Sequence, residues 1–338
     1  MGLQTTWYIL IAVLLAGYAV LDGFDLGIGA IYPYVARSTQ ERAALRASIG
    51  PVWDGNEVWL VNGGGALFAA FPPVYAMTFS GFYMAIMLVL LGLILRAVAL
   101  EFRHRDDHRA GLWDAAFHIG SVLPALLLGV ALGNVIRGVP LTAQGDYSGS
   151  FWQLLNPFSL LVGVTGLAMF VSHGAAWAAL KTEAALHRRT CAVRSWAHLL
   201  FVALLALTTV YAAFEVREHF KHVVARPLGW LMIVLLVAGI AAARLAMRRR
   251  RDVAAFVASS ASIVAVFGIA AVGNYPVIVP ARGSPAATAL TVSGASSSHL
   301  TLTVMLVVAA IGMPIVLAYT VLIYRIFRGR APADGNEY

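Results

Sequence analysis

Five ionisable side chains stand inside runs of apolar sequence: Asp22, Asp25, Asp54, Glu57 and Arg96. Carrying such a group to the centre of a bilayer costs about 2.5–3.5 kcal/mol on insertion scales, so these groups face protein or a water-filled cavity. The stretch D-G-F-D-L-G-I-G sets Asp22 and Asp25 three residues apart, on one face of a helix. Two carboxylates so placed suit a proton relay or a cation site. The alternative is a pair of buried acids held by a neighbouring arginine or serine. Gly23, Gly27 and Gly29 suit close helix packing; with no strand before them they are not a dinucleotide loop.

The stretch G-P-V-W-D-G-N-E-V-W-L repeats the three-residue spacing with Asp54 and Glu57. Pro51 suits a helix start. Acids in a first helical turn gain about 0.3–1 kcal/mol from the helix dipole. That accounts for Glu57, whereas Asp54, between Trp53 and Trp59, is also a candidate for proton handling. The tryptophans themselves suit an interface belt. Arg96 is a natural partner for Asp25 or Asp54, unless it snorkels to the interface. Asn62 and the run Gly63, Gly64, Gly65 make this helix poor at facing lipid, so it should be buried in protein or in a subunit partner. No lysine or serine follows these glycines, which argues against a phosphate loop.

The elements that position these groups are membrane spans. The chain has 338 residues, 60% hydrophobic and 12% charged, with a mean hydropathy of +0.79; a soluble domain is about a quarter charged. Roughly 20 mostly apolar residues cross a bilayer, and backbone groups in lipid must be satisfied within the segment, so each span is a helix. Nine are predicted, at about 7–33, 51–71, 75–99, 113–136, 154–178, 196–214, 228–246, 253–273 and 301–324. They form one polytopic domain over residues 1–338, without a fixed-period repeat. The N-terminal apolar stretch reads as a span and not as a cleavable leader.

The net charge of +8 sits in short clusters between spans, which argues against nucleic acid as a partner. Counting Lys and Arg, 18 fall in the loops after odd-numbered spans and in the tail, and 5 in the other loops. That bias predicts an N-terminus outside and a C-terminus in the cytoplasm. It places Asp22 and Asp25 from mid-membrane toward the cytoplasm, with Asp54, Glu57 and Arg96 near the cytoplasmic face. The loop 274–300 is rich in Pro, Gly, Ser and Thr. Of the histidines, His118 and His173 alone lie well inside spans, where a hydrogen-bonded core histidine is the first reading and a haem ligand the second. Cys191 is the one cysteine, with no Cys-x-x-Cys pair for zinc or covalent haem, so no metal ligands are assigned.

These segments resemble subunit II of the bacterial cytochrome bd quinol oxidase. D-G-F-D-L-G-I-G at 22–29 is similar to the family's first-helix motif. The stretch at 50–60, G-G-G-A-L-F-A-A-F-P at 63–72 and F-S-G-F-Y at 79–83 are similar to its most recognisable region. A-S-S-S-H-L-T-L-T-V-M at 295–305 and P-I-V-L-A-Y at 314–319 also look familial; residues 140–265 match mainly in hydropathy and span count. Leu95-Arg96-Ala97 departs, because the family places a proline after the arginine.

The resemblance implies an all-α membrane fold of two four-helix bundles plus one peripheral helix, in a bacterial inner membrane. It implies a heterodimer with a haem-bearing subunit I, sometimes joined by a small single-helix subunit. Haem b, haem d and the quinol-oxidising loop would belong to subunit I; the loop at 215–227 here is too short for that role. Some members hold a structural quinone. The complex would oxidise quinol, reduce O2 to water and generate proton motive force. This chain would carry no catalytic residue of its own. Asp25, Asp54 and Glu57 become proton-path candidates, Asp22 and Arg96 their structural partners, and Trp59 a candidate for the oxygen route at the subunit contact. Apart from the resemblance, the buried acids favour an independent proton- or cation-coupled transporter; a scaffold whose acids are assembly contacts is the third reading.

Overall fold

The computed structural model describes residues 2–283 and 287–331. Residues 284–286 of the predicted 274–300 loop, and 332–338 of the tail, lie outside the described residues. In chain order the helices are α1 (Leu3–Val35), α2 (Thr39–Ala47), α3 (Trp53–Ala70), α4 (Pro72–Gly81), α5 (Tyr83–Phe102) and α6 (Ala110–Arg137). After strand β1 (Val139–Pro140) come α7 (Phe151–Leu154), α8 (Pro157–Lys181), α9 (Ala184–Glu215), α10 (Arg217–Val224), α11 (Pro227–Arg248) and α12 (Asp252–Asn274). Strands β2 (Val277–Val279), β3 (Ala281–Arg282) and β4 (Leu290–Thr291) precede α13 (His299–Ile326).

Eight helices are long and apolar enough to cross a bilayer: α1, α5, α6, α8, α9, α11, α12 and α13. The predicted second span, α3, is not among them. Asp54, Asn56, Glu57 and Asn62 make it too polar to face lipid alone. It is sheltered by α1, along which it runs antiparallel. Asn56 bonds the Leu21 carbonyl, Trp59 lies on Gly17, Gly63 on Leu15, and Ala70 shares a core with Trp7. The predicted third span, 75–99, is two helices. Phe71-Pro72-Pro73 starts α4, and the chain turns at Phe82 before α5, with Tyr147 packed against Gly81. A third difference is at α9, which begins at Ala184 and not near 196. Two of the basic residues there are tied to neighbouring elements: Arg189 donates to the Val35 carbonyl at 2.7 Å and pairs with Glu41, and Arg194 pairs with Asp252 at 2.7 Å.

Helices α1, α3, α5 and α6 form one four-helix group; α8, α9, α11 and α12 form the second. The groups meet where α6 packs on α8 and where α1 packs on α8 and α12. Lipid tails are as apolar as leucine, so helix association in a bilayer depends on close packing between small residues. Gly27 of α1 and Gly174 of α8 supply it: a Cβ on Gly27 would fall 1.9 Å from the Phe170 carbonyl oxygen, and one on Gly174 2.6 Å from the Gly27 Cα. Phe24 stacks on Trp177 across the same seam, centroids 4.3 Å apart, with Phe256 of α12 edge-on. Helix α13 is peripheral; only 6% of its apolar window is buried, and it lies against α1 and α3.

At the arginine-rich end, Asp114 accepts from Arg42 at 2.5 Å, Arg103 at 3.1 Å and Tyr32 at 2.9 Å. At the opposite end the loops are laced by short ladders. β1 pairs parallel with β3, Val139 beside Ala281, and β2 pairs antiparallel with β4, Val277 beside Thr291. Two or three residues per strand carry no periodicity that a sequence could reveal.

The α1–α8 seam gives a direct test. Gly27→Ala is expected to cost about 1–3 kcal/mol through overpacking. Gly312→Ala on α13, where a Cβ meets nothing within 4 Å, is expected to be neutral or to gain up to about 1 kcal/mol of helix propensity. Thermal unfolding in detergent separates the two.

Candidate functional site

Asp22 and Asp25 sit on the inward face of α1, both with 0% exposure. Two helices approach that face. From α5 comes Arg96, also 0% exposed, whose Nη2 donates to Asp22 Oδ1 at 2.6 Å and to Glu57 Oε1 of α3. From α3 comes Asn56, whose Nδ2 donates to Asp25 Oδ2 at 2.8 Å. The same amide's Oδ1 accepts from the Tyr324 hydroxyl of α13 at 3.0 Å. Four helices thus converge on one polar cluster in an apolar surround.

The sequence pairing for Arg96 is corrected by this geometry. Its partners are Asp22 and Glu57, not Asp25 or Asp54, and it does not snorkel. The reason is rotational. Gly92 and Gly120 let α5 lie tight on α6, and this turns Arg96 inward toward α1. Glu57 likewise is more than a first-turn acid favoured by the helix dipole. Asp54 is exposed in the first turn of α3 and makes no hydrogen bond or ion pair among the described residues. Trp59 is 7% exposed and wedged against α1, where a Cβ on Gly17 would fall 2.4 Å from its ring. Two members of the cluster were missed. Asn56 lies in the second-span motif, and its side-chain amide was a visible signal. Tyr324 sits in an apolar run that offered none.

The charge count is uneven. One guanidinium faces three carboxyl groups, those of Asp22, Asp25 and Glu57. Asp22 Oδ2, Asp25 Oδ1 and both Arg96 Nε and Nη1 are buried without a hydrogen-bond partner among the described residues. Buried polar atoms are normally paired with protein or with water. Such orphaned atoms on opposite charges suit ordered water, and a carboxyl in contact with water can take up and release a proton. The side chain of Glu57 is 24% exposed, which connects the cluster to the surface of the chain.

The inward histidines are engaged elsewhere. His173 donates from Nε2 to the Val20 carbonyl at 2.9 Å and meets the Ser259 hydroxyl through Nδ1 at 2.7 Å. Neither ring nitrogen is left for iron. His118 Nδ1 lies 3.0 Å from the Gly29 carbonyl.

Fold and site together define a multi-pass membrane subunit with charge buried between its helices. The family model for cytochrome bd terminal oxidase subunit II matches residues 3–327. Cytochrome bd-I ubiquinol oxidase subunit 2 of Escherichia coli is 37% identical, over 99% of this chain and 97% of that protein. Cytochrome bd ubiquinol oxidase subunit 2 of Bacillus subtilis is 34% identical over 97% of both. The probable cytochrome oxidase subunit 2 of Haemophilus influenzae is 36% identical over 98% and 96%. The fold is also that of a chain of the bd oxidase from Geobacillus thermodenitrificans, with a TM-score of 0.79 at 19% identity over 97% of this chain and 99% of that one. The chain belongs to the cytochrome bd terminal oxidase subunit II family. It is a subunit of an oxidoreductase complex of bacterial respiration.

Removing one partner of a buried ion pair costs about 3–5 kcal/mol, because the charge left behind is uncompensated. Arg96→Met should therefore lower the unfolding temperature sharply, and Asp22→Asn in the same chain should recover part of the loss. Fluorescence-detected unfolding in detergent measures both.

Proposed function

We propose that this chain is the haem-free half of a quinol-oxidising, oxygen-reducing complex, and that its buried cluster feeds protons from the cytoplasm toward the partner subunit. The observation that carries this is Asp25: a carboxyl at 0% exposure, with one oxygen bound to Asn56 and the other without a protein partner. The bias of 18 basic residues against 5 supports a cytoplasmic C-terminus and puts the first turn of α3 at the cytoplasmic side. Protons then enter at exposed Asp54, pass Glu57 one turn further in, and reach the water-suited space between Arg96, Asp22 and Asp25. Arg96 bonds Asp22 and Glu57 directly, which leaves Asp25 as the carboxyl of the cluster that the guanidinium does not bond. Haem b and haem d, bound by subunit I, supply the oxygen chemistry. Proton uptake from the cytoplasm with quinol protons released outside generates a potential without a pump.

The same reading assigns the partner face. Asp54, Gly55, Val58, Val61, Gly65 and Phe68 form the exposed stripe of α3. An acid and two glycines in that stripe do not suit lipid, but they suit a second protein packed closely on it. A Cβ on Gly65 meets nothing within 4 Å in this chain.

In the assembled complex, Asp25→Asn should lower quinol-driven oxygen uptake about tenfold or more while haem content stays unchanged. Unaltered turnover and potential would remove Asp25 from the path. Loss of the haem-bearing partner instead would favour a purely scaffolding cluster. For the face, Gly65→Trp should leave this chain folded in detergent yet abolish copurification of the haem-bearing partner. Retention of that partner would place the contact elsewhere.

A further inference from the structure

Away from the buried cluster, the start of α9 brings together three side chains of metal-ligating type. His187 and Cys191 are four residues apart on one face of α9, and Asp252 opens α12 beside them. His187 Nε2 lies 3.5 Å from Cys191 Sγ and 3.8 Å from Asp252 Oδ2. All three ligand atoms lie within 4.8 Å of one another.

The surroundings prepare each donor. His187 Nδ1 lies 3.0 Å from the Ala179 carbonyl of α8, an acceptor only, so Nδ1 carries the proton and the Nε2 lone pair points at the cluster. Such an outer hydrogen bond is the usual device for fixing a ligating imidazole. Arg194 donates to Asp252 Oδ1 at 2.7 Å, which ties down one carboxylate oxygen and leaves Oδ2. Arg194 Nη2 is 3.6 Å from Cys191 Sγ, which holds the sulfur on the side of α9 that faces Asp252. The side chains of His187 and Asp252 are 35% and 21% exposed, so a fourth position is open to water.

Distances decide the class of ion. In a tetrahedral site with bonds of about 2.0–2.1 Å to N and O and 2.3 Å to S, ligand atoms sit roughly 3.3–3.6 Å apart. The His–Cys separation already has that value; the aspartate oxygen, 3.8 Å from His187 and within 4.8 Å of Cys191, must move inward. A nitrogen, a sulfur and one oxygen suit a borderline-soft ion and not calcium or magnesium. Thiolate and carboxylate together balance a dication, with Arg194 held on the far oxygen.

We propose that His187, Cys191 and Asp252 form a binding site for a thiophilic divalent cation, zinc foremost, that staples α9 to α12 at the arginine-rich end. Binding forms the metal–sulfur bond and releases the thiol proton to solvent. The sequence expectation assigned no metal ligands, because Asp252 is distant in the chain and no Cys-x-x-Cys pair marks the place.

The test uses the assembled complex, stripped with chelator and dialysed against Zn2+, with bound zinc counted by mass spectrometry and its shell read by zinc K-edge absorption. The wild type should bind one more zinc than Cys191→Ser, with Zn–S scattering at about 2.3 Å that the variant lacks. His187→Ala should weaken binding at least about tenfold. Quinol oxidation without added zinc should be unchanged in both variants, which shows that the complex is intact. Equal zinc in wild type and Cys191→Ser, or Zn–S scattering that survives that substitution, would overturn the site.

Discussion

The Arg96 guanidinium sits between α1, α3 and α5, and the first bundle is organised around it. In a bilayer interior neither the cation nor its carboxylates can fall back on bulk water, so the arrangement holds only while all three helices keep their rotation and depth. Asp22 draws α1 to α5, and Glu57 draws α3 to the same point. That explains how α3 stays inside the protein although its composition is wrong for lipid. Asn56 and Glu57 face α1 and Arg96, while Asp54 lies with the exposed stripe on the other side.

Close glycine contacts make the charge arrangement possible. Gly27 against Gly174 joins the two bundles, and Gly92 against Gly120 and Pro124 seats α5 on α6. Each contact brings backbones near enough for dispersion to act, in a solvent that supplies no hydrophobic drive between helices. The aromatic seam of Phe24, Trp177 and Phe256 then fills the volume beside the cluster. Helix α13 contributes little burial, yet its Tyr324 reaches through to Asn56 and completes the hydrogen-bond chain to Asp25.

Charge outside the spans is arranged differently. At the arginine-rich end most pairs are partly solvated, as with Arg42 and Asp114. Exposed pairs of this kind contribute about 0–1 kcal/mol each. They fix the ends of helices more than they stabilise the fold, and the extension of α9 back to Ala184 is one result. Lys181 shows the same economy, capping the end of α13 through the Phe327 and Gly329 carbonyls while lying 4.9 Å over the Trp177 ring.

The amino-acid sequence by itself determined the membrane class, the positions of most spans and the family. Hydropathy and loop charge are local properties, and the 22–29 and 50–83 motifs are continuous in the chain. It also singled out Asp22, Asp25, Asp54, Glu57 and Arg96 as misplaced in lipid. Only the tertiary structure decided that Arg96 joins Asp22 to Glu57, that Asp25 answers to Asn56 and Tyr324, that Asp54 points outward and that the 75–99 segment breaks at Phe82. The same holds for the approach of Asp252 to His187 and Cys191. Helical periodicity says which residues share a face of one helix. Which faces meet depends on how deep each helix sits and how far it turns, and both are set by side-chain packing between segments far apart in the chain.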